Sequence, residues 1–76
     1  MENSFKDLHL RFQSKGFSSI EIKAIIKDVL KALGNGGHRS RSAVNREMED
    51  LGWGIGIIDS VTYNLAKSQI LFGTNE

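Results

Sequence analysis

The sequence contains no cysteine, and only two of its 76 residues, His9 and His38, are histidines. Disulfide bonds and zinc sites built on thiolates are therefore excluded. Two histidines so far apart in the chain do not predict a metal site, and we expect neither a metal ion nor another cofactor. The absence of cysteine fits a reducing compartment. A cytoplasmic location is the default expectation, since the sequence also shows neither a membrane-spanning run nor a signal peptide.

Long apolar segments are also missing. No run approaches the roughly 20 apolar residues that a membrane-spanning helix needs, and the first ten residues, MENSFKDLHL, lack the basic start and apolar middle of a signal peptide. We expect no membrane insertion. A chain of 76 residues has room for one modest core, which predicts a single small helical domain over residues 1–76.

The net charge is small, but positive and negative residues are distributed unevenly along the chain. The net charge is only +1. Residues 1–46 carry nine Lys or Arg against four Asp or Glu (+5), whereas residues 47–76 carry one against five (−4). The densest basic run is HRSR at 38–41, and Arg46 follows it. Such a run is typical either of a solvated loop or of a site for an anionic partner, and the sequence leaves both interpretations open.

The clearest element is the segment FSSIEIKAIIKDVLKALG at 17–34. Ser18 and Glu21 have the spacing of a capping box, and Gly34 stands where a left-handed residue would end a helix. Apolar residues recur at spacings of three and four along one stripe: Ile22, Ile25, Ile26, Val29, Leu30 and Leu33. The pattern predicts an amphipathic helix over 19–33. We expect the other elements to cover its apolar face.

Three further helices are predicted around it. The first spans about 4–15, with Phe5, Leu8 and Phe12 on one face and Gly16 as its stop, although Leu8, Leu10 and Phe12 also alternate as in a strand. The third spans about 41–51, with Ser40 or Ser42 as its cap. Its buried line is Val44, Met48 and Leu51. Gly52 then ends it and places Trp53 at the edge of the core.

The last helix is predicted over about 59–72, with Asp59 as its cap. One face carries Ile58, Val61, Leu65 and Phe72, and another carries Tyr63, Ala66 and Ile70. A band this wide fits either a helix packed between two others or a dimerisation surface. A hairpin is the competing interpretation, because 61–63 and 70–72 have strand-like propensity. The fold class favoured is all-α, a small bundle of four short helices.

The third helix and its entry, SRSAVNREMEDLG, resemble the recognition helix of helix-turn-helix DNA-binding domains. The matching residues are Ser40, Ser42, Val44, Asn45, Arg46 and Leu51. The resemblance implies a helix-turn-helix-like arrangement in which polar side chains meet phosphates and base edges; the candidates are Arg39, Arg41, Ser42, Asn45 and Arg46. The connector GNGGHR is longer than the usual turn of three or four residues, so the angle between the two helices is not predicted.

Two functions follow as expectations. The first is nucleic-acid binding through the basic loop and the start of the third helix, where unpaired N–H groups and arginines attract anions. The second is a non-catalytic protein-interaction or oligomerisation module, in which the last helix contacts either a protein partner or a second copy of the chain. Catalysis is not expected, because no nucleophile-base spacing or paired acids are visible.

Overall fold

The protein is a bundle of four α-helices in a computed structural model that describes residues 4–34 and 37–72, and the side chains of 6–34 and 37–70. The helices are α1 (Ser4–Ser14), α2 (Ser19–Leu33), α3 (Arg41–Asp50) and α4 (Ser60–Phe72). The predicted all-α class is confirmed, and the hairpin interpretation of 61–72 is wrong because this segment is helical throughout. Within the described residues, no helix is long and apolar enough to cross a bilayer.

The central helix α2 begins and ends where its sequence predicts. The Glu21 backbone N–H donates to Ser18 Oγ at 3.2 Å, and the Ser18 N–H donates to Glu21 Oε1 at 2.8 Å. These two bonds form the capping box. Gly34 ends the helix at the predicted position with the positive φ of 79°, but its ψ of 176° is extended and not that of the left-handed helical conformation. The apolar face of α2 is buried in the core: Ile22, Ile25, Ile26, Val29, Ala32 and Leu33.

Two helices end in the same motif, each with a glycine in the left-handed region. After α1, Gly16 has a φ of 99° and the Phe17 N–H donates to the Phe12 carbonyl; after α3, Gly52 has a φ of 96° and the Trp53 N–H donates to the Met48 carbonyl. Both are Schellman ends. Each motif turns the aromatic residue after its glycine back onto the core, so Trp53 lies at the core edge as predicted.

The last helix packs against both α1 and α2. Its cap is Asp59, as predicted, because Asp59 Oδ1 accepts from the Thr62 N–H at 2.8 Å. Asp59 Oδ2 accepts from Arg11 at 2.8 Å and from Lys15 at 3.4 Å, which ties the end of α1 to the start of α4. Partial burial by itself raises the pKa of Asp59, but the hydrogen bonds from Thr62 and Arg11, with the Arg11 charge, hold that pKa well below its ordinary value.

Two details of the predicted core are wrong. Leu51 is not buried but 54% exposed, because α3 stops at Asp50 and Leu51 is the cap residue where the chain turns outward. At α4 the fully buried residues are Ile58, just before the helix, Thr62 and Ala66. Ile58 and Ala66 were predicted on apolar faces, but Thr62 was not, and Val61, predicted on one of those faces, is 48% exposed. The side chains of Phe5 and Phe72, also predicted on apolar faces, lie outside those described.

The helix α3 runs back along α2 in the opposite sense. At its start, Arg39 reaches the carbonyl of Ala32 near the end of α2. Beyond its end, Trp53 contacts the Phe17 ring, just before α2, and donates from Nε1 to Asp28 at 2.8 Å. The basic entry to α3 and the loop after α3 therefore lie at opposite ends of the α2–α3 pair.

Candidate functional site

An open groove lies at the start of α3, with a volume of about 490 Å³. Its lining is polar and basic: Arg39, Ser40, Ser42, Ala43 and Arg46. Ser40 is the helix cap, and its Oγ accepts from the Ala43 N–H at 3.2 Å. The backbone N–H groups of Arg41 and Ser42 have no partner within the described residues. The groove thus joins unpaired N–H groups at the positive end of a helix dipole to arginine side chains, a combination that attracts anions.

Arg46 is the groove arginine for which the structure shows no ion pair among the residues that it describes. It is exposed on the outer face of α3, one helical turn beyond Ser42. Ser42 Oγ likewise has no hydrogen bond there. Both side chains are therefore available to a ligand entering the groove.

Arg39 is held by three contacts. Its Nη1 donates to Glu47 Oε1 at 2.8 Å and to the Ala32 carbonyl at 3.2 Å, and its own backbone carbonyl accepts from the Tyr63 hydroxyl at 2.6 Å. The first contact is an ion pair whose two side chains are 45% and 38% exposed. Glu47 therefore cancels part of the positive charge at the groove, in a position that water and salt reach.

The other two predicted site residues lie outside the groove lining. Arg41 is exposed in the first turn of α3 but does not line the groove. Asn45 faces the loop before α4, where its Nδ2 donates to the Ile58 carbonyl at 3.0 Å and its Oδ1 accepts from the Ile58 N–H at 2.8 Å. Both polar atoms of the Asn45 amide are therefore engaged within the fold.

Acidic residues limit how much of α3 can meet an anion. Glu49 and Asp50 are exposed in its last turn, and the spacings of three and four residues place them on the same outer face as Arg46. The electrostatic character of this face therefore changes from basic to acidic within two turns. Only the first half of α3 suits a negatively charged partner.

The structure brings together Arg39, Ser42 and Arg46 from the predicted set. The sequence shows Glu47 as a carboxylate on the third helix that opposes phosphate binding, but it does not show that Glu47 pairs with Arg39, because the two side chains meet only through the turn at Ser40. Sequence reasoning also missed the pairing of Asn45 with Ile58. One feature of the sequence could have indicated this pairing. Asn45 is a polar residue beside the buried line of α3, and a half-buried amide needs hydrogen-bond partners.

No group of three histidine, aspartate or glutamate side chains that could hold a metal ion occurs in the part of the chain that the structure describes. Comparisons of the sequence with models of protein families, of the chain with curated proteins, and of the fold with solved structures give no significant match. The groove at the start of α3 therefore has to be interpreted from its own chemistry.

Proposed function

We propose that the chain is a small nucleic-acid-binding domain that contacts the phosphate backbone of duplex DNA through the groove at the start of α3. The observation that carries this proposal is the position of Arg46 and Ser42, unpaired among the described residues, beside the unpaired N–H groups of the first turn. Phosphate oxygens accept hydrogen bonds from arginine, from hydroxyl groups and from helix N-terminal N–H groups.

Within this proposal the predicted residues take different roles. Arg46 and Ser42 bind a phosphate inside the groove, and Arg41 reaches a neighbouring phosphate from the same turn. Arg39 contributes when it exchanges Glu47 for a phosphate oxygen. Asn45 is assigned no contact with DNA, because its amide is already bonded to Ile58.

The charge distribution sets the expected strength of binding. With a net charge of +1 and two carboxylates at the far end of the same face, few phosphates can be neutralised at once. Affinity should therefore be low at physiological salt and should rise as salt is removed. A few phosphate contacts correspond to a shallow slope of the logarithm of affinity against the logarithm of salt concentration.

The test is a titration of fluorescently labelled random duplex DNA at several salt concentrations. Arg46→Ala is compared with Lys27→Ala, which removes the same charge from an exposed position in the middle of α2. We expect Arg46→Ala to reduce the salt slope by about one unit for each phosphate that the arginine neutralises and Lys27→Ala to change it little. Equal effects of the two variants, or no binding by the native chain at low salt, would reject the proposal.

The second candidate is a protein-interaction or oligomerisation module without catalytic activity. What favours it is the exposure of large apolar side chains on a small domain: Leu10, Ile20, Leu51, Ile55 and Val61. Among the described side chains of α4, a homodimer would rely on Val61, because Thr62 and Ala66 are buried and Tyr63, Leu65 and Ile70 already pack against the core. Sedimentation of the native chain and of Val61→Ser tests that arrangement: loss of a dimer in the variant would support it.

A further inference from the structure

The chain that leads into α3 lies along α4 and runs in the opposite direction. Three contacts in register establish this arrangement: Asn45 with Ile58, Arg39 with Tyr63, and Gly37 with Lys67 and Ile70. Gly37 is buried there, and a Cβ atom added to it would lie 3.8 Å from Lys67 Cγ and from two side-chain atoms of Ile70. The basic entry to α3 and one face of α4 are therefore neighbours along their length.

The cation that α4 places beside the basic entry is Lys67. Its Nζ lies over the ring of Tyr63, 5.4 Å from the ring centroid, which is the geometry of a cation–π contact. The hydroxyl of the same ring donates to the backbone carbonyl of Arg39 at 2.6 Å, and Arg39 lines the groove. One tyrosine side chain therefore bridges the Lys67 ammonium and the backbone of a groove residue.

The ammonium of Lys67 is accessible to a further partner. Lys67 is partly exposed and forms no ion pair with any residue that the structure describes. The ring of Tyr63 attracts the ammonium through its quadrupole, but a lysine has three N–H donors, and this contact leaves them for hydrogen bonds. Lys67 can therefore bind an anion that approaches from solvent.

The two segments that lie side by side contain cations and no carboxylates. Residues 37–46 and α4 hold no Asp or Glu, and their Lys and Arg residues are Arg39, Arg41, Arg46 and Lys67. At the border of this surface, Asp59 pairs with Arg11 and Lys15, and Glu47 pairs with Arg39. The other carboxylates described in α1, α2 and α3 form no ion pair with Lys67: Asp7, Glu21, Asp28, Glu49 and Asp50. The surface therefore suits a partner that carries several negative charges.

We propose that Lys67 binds a phosphate of the same DNA duplex that occupies the groove, so that the interface spans the start of α3 and the neighbouring face of α4. This inference rests on the proposed function and extends it to a second helix. Duplex DNA carries one negative charge per about 1.7 Å of its axis, so a cation beside the groove meets a different phosphate from the one that Arg46 binds. Contacts from two helices to separate phosphates fix the orientation of the duplex on the protein.

The experiment measures the salt dependence of binding to labelled random duplex DNA for variants of Lys67. Lys67→Gln keeps the Cβ and Cγ atoms that pack near Gly37 and removes the charge; we expect it to reduce the salt slope by about one unit. Lys67→Arg keeps the charge and should keep the slope. Lys23→Gln, the same substitution at an exposed position near the start of α2, is the control and should change the slope little. Circular dichroism establishes that each variant is folded.

A combined variant tests whether Lys67 and Arg46 bind separate phosphates. Arg46→Ala/Lys67→Gln should reduce the slope by about two units, and a reduction of only about one would overturn the second contact. A slope that falls in Arg46→Ala but changes no more in Lys67→Gln than in Lys23→Gln would overturn this inference and leave the proposed function standing. A native chain that does not bind at low salt would overturn both.

Discussion

The rings of Phe17 and Trp53 meet edge to face, with their centroids 6.3 Å apart and their planes at 77°. Each residue follows the glycine that ends a helix, Gly16 after α1 and Gly52 after α3. Phe17 also contacts Phe12 with centroids 6.2 Å apart. The two helix ends are therefore joined through their aromatic residues, which fixes the loop after α3 against the start of α2.

A double-mutant cycle measures the contribution of this ring pair. We expect Phe17→Leu and Trp53→Leu to be coupled by about 0.5–1.5 kcal/mol in the free energy of unfolding, because edge-to-face rings attract beyond the area that they bury. Urea unfolding of the two single variants and the double variant gives the coupling. A cycle of Phe17→Leu with Ser42→Ala is the control; Ser42 lies at the other end of α3, and its effect should add to that of Phe17→Leu.

Asn45→Ala should lower the free energy of unfolding by about 2–3 kcal/mol, since it leaves the N–H and the carbonyl of Ile58 without partners in a half-buried position. Ser42→Ala, an exposed substitution in the same helix, should cost less than about 0.5 kcal/mol. Chemical denaturation of both variants checks the difference. A change at Asn45 no larger than that at Ser42 would mean that the bonds to Ile58 do not stabilise the fold.

The lowered pKa of Asp59 predicts how the stability of the fold depends on pH. Its pKa is lowered in the folded chain, so the unfolded chain binds the proton more tightly, and stability from this group is present above the ordinary pKa of 3.8 and lost as pH falls below it. Asp59→Asn should therefore be less stable than the native chain at pH 7 and should lose less stability between pH 5 and pH 2. Thermal unfolding across this range tests the prediction; parallel pH profiles for the two chains would contradict it.

Glu47→Gln removes the carboxylate that pairs with Arg39 at 2.8 Å. We expect this variant to bind duplex DNA more tightly than the native chain and with a salt slope steeper by up to about one unit, because Arg39 becomes available to a phosphate. Glu49→Gln makes the same charge change one turn after Arg46 without breaking the Arg39 ion pair, and it should have a smaller effect. In Glu47→Gln, the loss of the exposed ion pair between Arg39 and Glu47 should lower the free energy of unfolding by no more than about 1 kcal/mol.

The sequence predicted those features whose cause is local. The α2 cap, the Gly52 end of α3 and the Asp59 cap of α4 each depend on residues within a few positions of one another, and all three are confirmed. Of the buried residues at α4, Ile58 and Ala66 were predicted on apolar faces but Thr62 was not, because the burial of a threonine depends on how α4 packs against α1 and α2. For the groove, the sequence predicted candidate residues but not which of them are free to bind a ligand. The hydrogen bonds of Asn45 to Ile58 and the ion pair of Arg39 with Glu47 depend on how the chain turns before and after α3.

The most direct test of the proposed function is two-dimensional NMR of the labelled chain during titration with a short random duplex at low salt. The proposal predicts that the largest backbone amide shifts occur at Arg41, Ser42, Ala43 and Arg46, and that they vanish as salt is added. Shifts centred instead on Ile20, Lys23 and the loop around Ile55, or no shifts at any concentration, would contradict it.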